Sequence, residues 1–177
     1  APASFSIPHI KAAAETLTPV LLELGGKSAS IVFPDADVAR ACRFALLIAA
    51  NTGQGCTIPT RMLVHETIYD EVLDRLATAL SEVPVGDPFD PQVQMGPLID
   101  AAARDRVLGI VARARENGDG RLVYGGAPLD RPGWFMQPTL FADVNPRSEL
   151  AGEEIFGPVL SVMSFTDEEE AVRLAND

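Results

Sequence analysis

Short apolar runs alternate with amphipathic stretches of roughly 12 to 18 residues along most of the chain, and this alternation restricts the fold more than any other feature. "SASIVF", "RMLVH", "RLVYGG" and "GPVLSVMSF" read as strands. "DADVARACRFALLIAANTG", "TIYDEVLDRLATALSEV", "DAAARDRVLGIVARARENG" and "TDEEEAVRLAND" read as helices. Val38, Ala41, Ala45 and Ile48 recur at helical spacing in the first of these, and Ile68, Val72, Leu76 and Leu80 in the second. Aspartates open the first and third, glycines end them, and acidic residues fill the first turn of the last. Parallel strands need crossovers of about this length, so the order predicts an α/β fold: a three-layer α/β/α arrangement with a mostly parallel twisted sheet. At the start, "IKAAAETLTPV" predicts a helix stopped by Pro19, and "VLLELGG" a short buried strand ended by Gly25 and Gly26. "WFMQPTLFADV" reads as extended despite Pro138, which predicts an edge or bent strand.

A chain of 177 residues suits one core. Its 14 Lys and Arg against 25 Asp and Glu, a net charge of −11, argue against binding nucleic acid or an acidic membrane surface. No apolar run reaches the roughly 18 residues of a membrane span, and no signal peptide opens the chain. The two cysteines, Cys42 and Cys56, are too few for a secreted disulfide framework, so a cytoplasmic location is expected. With only His9 and His65 to add, no metal site is expected. Cys42 falls within a predicted helix and reads as a small core hydrophobe.

Three segments carry chemistry. "LELGGKS" ends like a phosphate-binding loop, but that loop needs a glycine where Leu21 stands, so the reading fails. What remains is Glu23 in an apolar run beside two glycines, either paired structurally or tuned for proton transfer. In "NTGQGCTIPTR", Gly53 and Gly55 clear space around Cys56, so that a carbonyl could approach the thiol and a backbone N–H together. The segment permits a nucleophile and equally an inert or redox-sensing thiol. "GEEIFGPV", residues 152 to 159, could be a solvated acidic face followed by core and a turn.

Taken together, "LELGGKS", "GQGC" with its cysteine 33 residues after Glu23, and "EEIFGPV" about a hundred residues later resemble the signature of the aldehyde dehydrogenase superfamily. The similarity extends through "SIVFPDADV", "RMLVHETIYDEV", "GDPFDPQVQMGPLI" and "GWFMQPTLFADV", covering roughly residues 11 to 177. The resemblance implies NAD(P)-dependent oxidation of a small-molecule aldehyde to a carboxylic acid. Cys56 would attack the carbonyl, forming a thiohemiacetal and then a thioester. Glu23 would activate the hydrolytic water, with Leu21, Leu22 and Leu24 raising its pKa. The resemblance further implies that Glu154 holds the nicotinamide ribose of NAD or NADP, that Phe156 lies by the nicotinamide, and that Leu24 and Arg106 also belong to the cofactor site.

The same resemblance divides the chain into residues 1–22, a remnant of the dinucleotide-binding half with a linker, and residues 23–177, the thiol-bearing catalytic domain. The family's oxyanion asparagine and most of its cofactor half come from segments that this chain does not contain. Losing one oxyanion donor costs about 10²–10³ in rate, so the chain alone is expected to be an inactive catalytic-domain fragment of a homodimeric or homotetrameric parent. Two alternatives stand beside this reading: an acylating member that passes the acyl group to coenzyme A, and a non-catalytic module with a reactive thiol.

Overall fold

The computed structural model describes residues 3–176; Ala1, Pro2 and Asp177, at the ends of the first and last predicted segments, lie outside the described residues. Strands β1 (Ala29–Val32), β2 (Arg61–His65), β3 (Arg121–Tyr124), β4 (Thr139–Ala142) and β5 (Val159–Phe165) form one sheet in the order β1-β2-β5-β4-β3. β1, β2, β5 and β4 run parallel, and β3 closes one edge antiparallel to β4. Helices α1 (Ala3–Glu15), α2 (Val38–Ala45), α3 (Tyr69–Ser81), α4 (Ala101–Asn117), α5 (Glu149–Gly152) and α6 (Glu168–Asn176) complete the chain.

Side-chain alternation along the strands feeds two separate cores. Met62 and Val64 of β2, Leu140 and Ala142 of β4, and Leu160 and Val162 of β5 pack with α2 and α3 through Cys42, Ala45, Val72, Leu76 and Leu80. Leu63, Phe141, Val159, Met163 and Phe165 point the other way, onto α4, α5 and α6 through Val107, Ile110, Val111, Leu150, Ala171 and Leu174. The sheet is therefore buried on both faces, which is why its strands are near-continuously apolar. Each fully buried Leu or Phe contributes about 1.5–3 kcal/mol. The polar Ser161 survives inside because its hydroxyl donates to the Leu150 carbonyl at 3.0 Å.

Capping follows the sequence. Asp37 accepts from Arg40 N–H at the start of α2, Asp100 accepts from Ala103 N–H at the start of α4, and Gly118 ends α4 in the left-handed region. The helix predicted to run to Gly53 is shorter: α2 ends at Ala45, and Leu46–Gly53 continues as tighter 3-10 turns broken at Ala50.

Two expectations are corrected. "VLLELGG" forms no strand, and Leu21 is 88 % exposed. Residues 20–26 pair with none of the five strands, and an unpaired run does not persist as a strand on apolarity alone. β4 is an interior strand rather than an edge, lying fully buried between β5 and β3. Pro138 is tolerated because it precedes the first strand residue, and the ladder begins with Thr139 N–H donating to Pro158 O at 2.8 Å.

Candidate active site

Residues 23–27 lead into β1, residues 51–56 lead towards β2, and residues 153–157 lead into β5. These three strands are adjacent and parallel, so all three segments gather at the same, amino-terminal, edge of the sheet. Ligand sites of open parallel sheets commonly lie at the opposite, carboxyl edge.

The cysteine turn is built from unusual backbone. Asn51, Thr52 and Gly53 have φ of 48°, 56° and 70°, three left-handed residues in succession. Asn and Gly suit that region, whereas Thr52 must be held there. Its hydroxyl lies 3.0 Å from Gly96 O and 3.2 Å from Pro97 O, anchoring the turn to the loop before α4. Gln54 adds a second tie: its side-chain amide donates to Asn51 O and accepts from Ile99 N–H, each at 3.0 Å. A Cβ on Gly53 would collide with the carbonyl of Gly157, and one on Gly157 would lie 2.6 Å from Val107 Cγ2. The two glycines therefore allow the cysteine turn and the "EEIFGPV" loop to stack on α4. Cys56 emerges from this arrangement as an exposed free thiol, while Cys42 is buried, as its core reading requires, with burial pushing its pKa up.

The acidic loop meets the glycine pair of "LELGGKS". Gly26 N–H donates to Glu154 Oε1 at 3.3 Å, and a Cβ on Gly25 would run into the Glu154 carboxylate. A Cβ on Gly26 would lie 3.6 Å from the Cys56 carbonyl, so these glycines separate the carboxylate from the cysteine turn by one backbone thickness. Phe156 has φ 51°, a strained conformation for an aromatic residue, and its 40 %-exposed ring lines a cavity of about 650 Å³. Arg106 of α4, Asn51, Thr52 and Gln54 also line it.

Of the six residues singled out in the sequence, Cys56 and Glu154 thus lie on either side of Gly26, and Phe156 and Arg106 line one cavity. Glu23 and Leu24 precede the Gly25–Gly26 turn and do not line that cavity. Glu23 is exposed with no hydrogen-bond or ion-pair partner among the described residues, and Leu24 is 42 % exposed. The apolar enclosure expected around Glu23 is therefore not formed by Leu21 and Leu24.

Sequence reasoning missed three residues. Thr52 and Gln54 lock the cysteine turn through bonds to a loop more than forty residues away. Only the density of turn formers in "NTGQG" hinted at a special backbone. Lys27, dismissed with the phosphate-loop reading, has its Nζ buried without a hydrogen-bond partner. Burial, and then the cationic Arg61, push its pKa down to about 7, against the pull of Glu153 and Glu154. Arg61 is itself buried, donating from Nε to Lys27 O at 2.9 Å and from its two terminal nitrogens to Leu174 O and Ala175 O of α6. Among the described residues, no group of three or more His, Cys, Asp or Glu could hold a metal ion, and no helix is long and apolar enough to cross a membrane.

The family model described as "Aldehyde dehydrogenase family" matches residues 8–177. A betaine aldehyde dehydrogenase of Brucella ovis is 45 % identical over 170 residues, covering 93 % of this chain and 35 % of that protein. Among solved structures, the NAD+ complex of an aldehyde dehydrogenase from Bacillus cereus superposes with a TM-score of 0.94 at 34 % identity, over 100 % of this chain and 36 % of that one. A Mycobacterium tuberculosis aldehyde dehydrogenase complexed with NAD+ gives 0.93 at 42 % identity, over 99 % and 37 %. The chain thus spans about a third of the length of the relatives it matches. With that family model covering nearly all of its length, the chain belongs to the aldehyde dehydrogenase family.

Proposed function

We propose that residues 23–177 are the thiol-bearing catalytic domain of an NAD(P)-dependent aldehyde dehydrogenase, and that residues 1–22 are a remnant of its dinucleotide-binding half with a linker. The observation that carries this reading is the stacking of Gly53 on Gly157, which sets the exposed Cys56 turn against the loop bearing Glu154 and Phe156. In the proposed cycle the Cys56 thiolate adds to the aldehyde carbon, and the backbone N–H beside it faces the developing oxyanion. Loss of hydride from that carbon leaves a thioester on Sγ. Glu23 takes a proton from water, the resulting hydroxide attacks the thioester, and the acid departs as Cys56 is restored. The exposure of Glu23 leaves it free to reach water in this role.

The residues present fit the nicotinamide-ribose end of the cofactor. A carboxylate fixed by Gly26 N–H suits paired hydroxyls, and the cavity wall of Phe156 suits a flat ring. Arg106 lines the same cavity, and Leu24 borders the glycine turn. Bound there, a nicotinamide dinucleotide supplies the hydride acceptor; NAD+ is the preferred candidate because the two solved relatives carry it. Two free thiols support a reducing, cytoplasmic setting, and exposed Phe44 and Leu47 on the α2 side support a homodimer or homotetramer.

The test is a mass-spectrometric and kinetic comparison in the whole polypeptide that carries these residues, using an aldehyde panel that includes betaine aldehyde. Cys56→Ala should abolish turnover, while Glu23→Gln should reduce cofactor once and then accumulate an acyl adduct on Cys56. Steady-state oxidation by Cys56→Ala would sink the reading. Residues 1–177 by themselves should show no measurable aldehyde oxidation but should still alkylate at Cys56, since the thiol is exposed and the Glu23 segment is open.

A further inference from the structure

Arg61, the first residue of β2, sits in the sheet between Ala29 of β1 and Ser161 of β5, at the edge where the three site loops gather. Its side chain is 6 % exposed, and a charged group is seldom buried so deeply unless its donors are taken up. Two of them go to α6: the terminal nitrogens donate to Leu174 O at 3.1 Å and to Ala175 O at 3.0 Å, in the last turn of that helix. This much is an ordinary cationic cap, which satisfies carbonyls left over at a helix end and meets the negative end of the dipole. The third bond is no part of a cap. Nε donates to Lys27 O at 2.9 Å, on a different segment, and the backbone N–H of Arg61 donates to Ser28 O at 3.2 Å.

We propose that Arg61 is a positioning residue: by bonding Lys27 O and the last turn of α6 at once, its guanidinium fixes the Gly25–Gly26 turn where Gly26 N–H meets the Glu154 carboxylate. The proposal rests on the reading of Glu154 as the ribose-holding carboxylate. Residues 20–26 pair with no strand, so the bonds from Arg61 to residues 27 and 28 moor the open run to the sheet. The bond from Gly26 N–H to Glu154 Oε1, at 3.3 Å, is long enough that a small shift of this segment would break it. A guanidinium suits the task because its N–H donors form a rigid planar fork, so one side chain can serve two segments at set angles. A lysine ammonium on its flexible stem would hold one segment or the other.

The test is native-state trypsin cleavage of the whole polypeptide, without cofactor, read as product masses. The Lys27–Ser28 bond should resist in the wild type, since the Lys27 ammonium is buried and its carbonyl is bonded. In Arg61→Met, cleavage there should rise at least about tenfold relative to cleavage after Arg113, inside α4, which reports general unfolding. Leu76→Ala, which empties a site in the core on the other face of the sheet, should raise both cleavages by the same factor. Arg61→Lys keeps the charge and the stem and should also free Lys27–Ser28, so it reads the clamp where Arg61→Met does not fold. Ready cleavage after Lys27 in the wild type, or cleavage in the Arg61 variants that rises only in step with Arg113, would overturn the proposal. Both variants should also bind NAD+ about tenfold more weakly, while Cys56 alkylates within about twofold of the wild-type rate. NAD+ affinity unchanged in the Arg61 variants but lowered in Glu154→Gln would overturn it as well. Affinity unchanged in Glu154→Gln itself is a failure of the ribose reading, and the cleavage result, obtained without cofactor, stands apart from it.

Discussion

Residues 51–56 and residues 20–26 approach the same edge of the sheet, and they differ in almost every other respect. The first segment is held by the Thr52 hydroxyl, by both ends of the Gln54 amide and by the stacking of Gly53 on Gly157. The second is the more apolar by sequence, yet it leaves Leu21 exposed and touches the body through Gly26 N–H on Glu154. Apolar character did not bury a segment that lacks a neighbouring strand, whereas polar residues fixed a turn because each found a partner. Buried apolar area is a property of two surfaces, and a hydrogen-bonded turn depends on the placement of a few atoms.

The sharpest way to break this contrast is Gly53→Ala. A Cβ there must displace the Gly157 backbone at a positive φ, so the loss should be on the order of 3 kcal/mol, read by urea unfolding of the chain. A loss below about 1 kcal/mol would mean that the two loops are not locked together. Thr52→Val keeps the shape and removes the hydroxyl bonded to Gly96 O and Pro97 O, which should cost about 1–2 kcal/mol in the same measurement.

Lys27, at the seam of the two regions, should give a pH signature instead. Its folded pKa of about 7 lies below its unfolded value of about 10.4, so between these the unfolded chain binds more protons and stability rises with pH. Below about pH 7 both states are protonated and the cost of burying the charge is felt in full. Between about pH 7 and 8.5, under the range where Cys42 begins to matter, Tm should climb in the wild type. It should climb less in Lys27→Met; equal slopes would show that the amine carries no such linkage. The smallest effect belongs to the open segment: Leu21→Ser should change stability by less than about 0.5 kcal/mol. A larger loss would show that Leu21 is packed.

Helix caps and the two core stripes were legible because they depend on neighbours in sequence. Asp37, Asp100 and Gly118 act within one turn of where they stand, and Val72, Leu76 and Leu80 share a face whatever lies opposite. The motif residues Cys56, Glu154 and Phe156 were legible as a family pattern, but their proximity was not. That proximity arises because β5 inserts between β2 and β4, and three parallel strands then present their entering loops at one edge. Strand order is a long-range choice that no local period encodes.

By itself the sequence determined an α/β chain with an alternating, doubly covered sheet, because side-chain periodicity sets which elements form and which faces they hide. Only the tertiary structure decided that "VLLELGG" stays open, that β4 is interior despite Pro138, that Thr52 and Gln54 anchor the cysteine turn, and that the Lys27 ammonium is buried. The physical reason is the same in each case: whether a backbone amide, a hydroxyl or an ammonium is satisfied depends on atoms brought from tens of residues away.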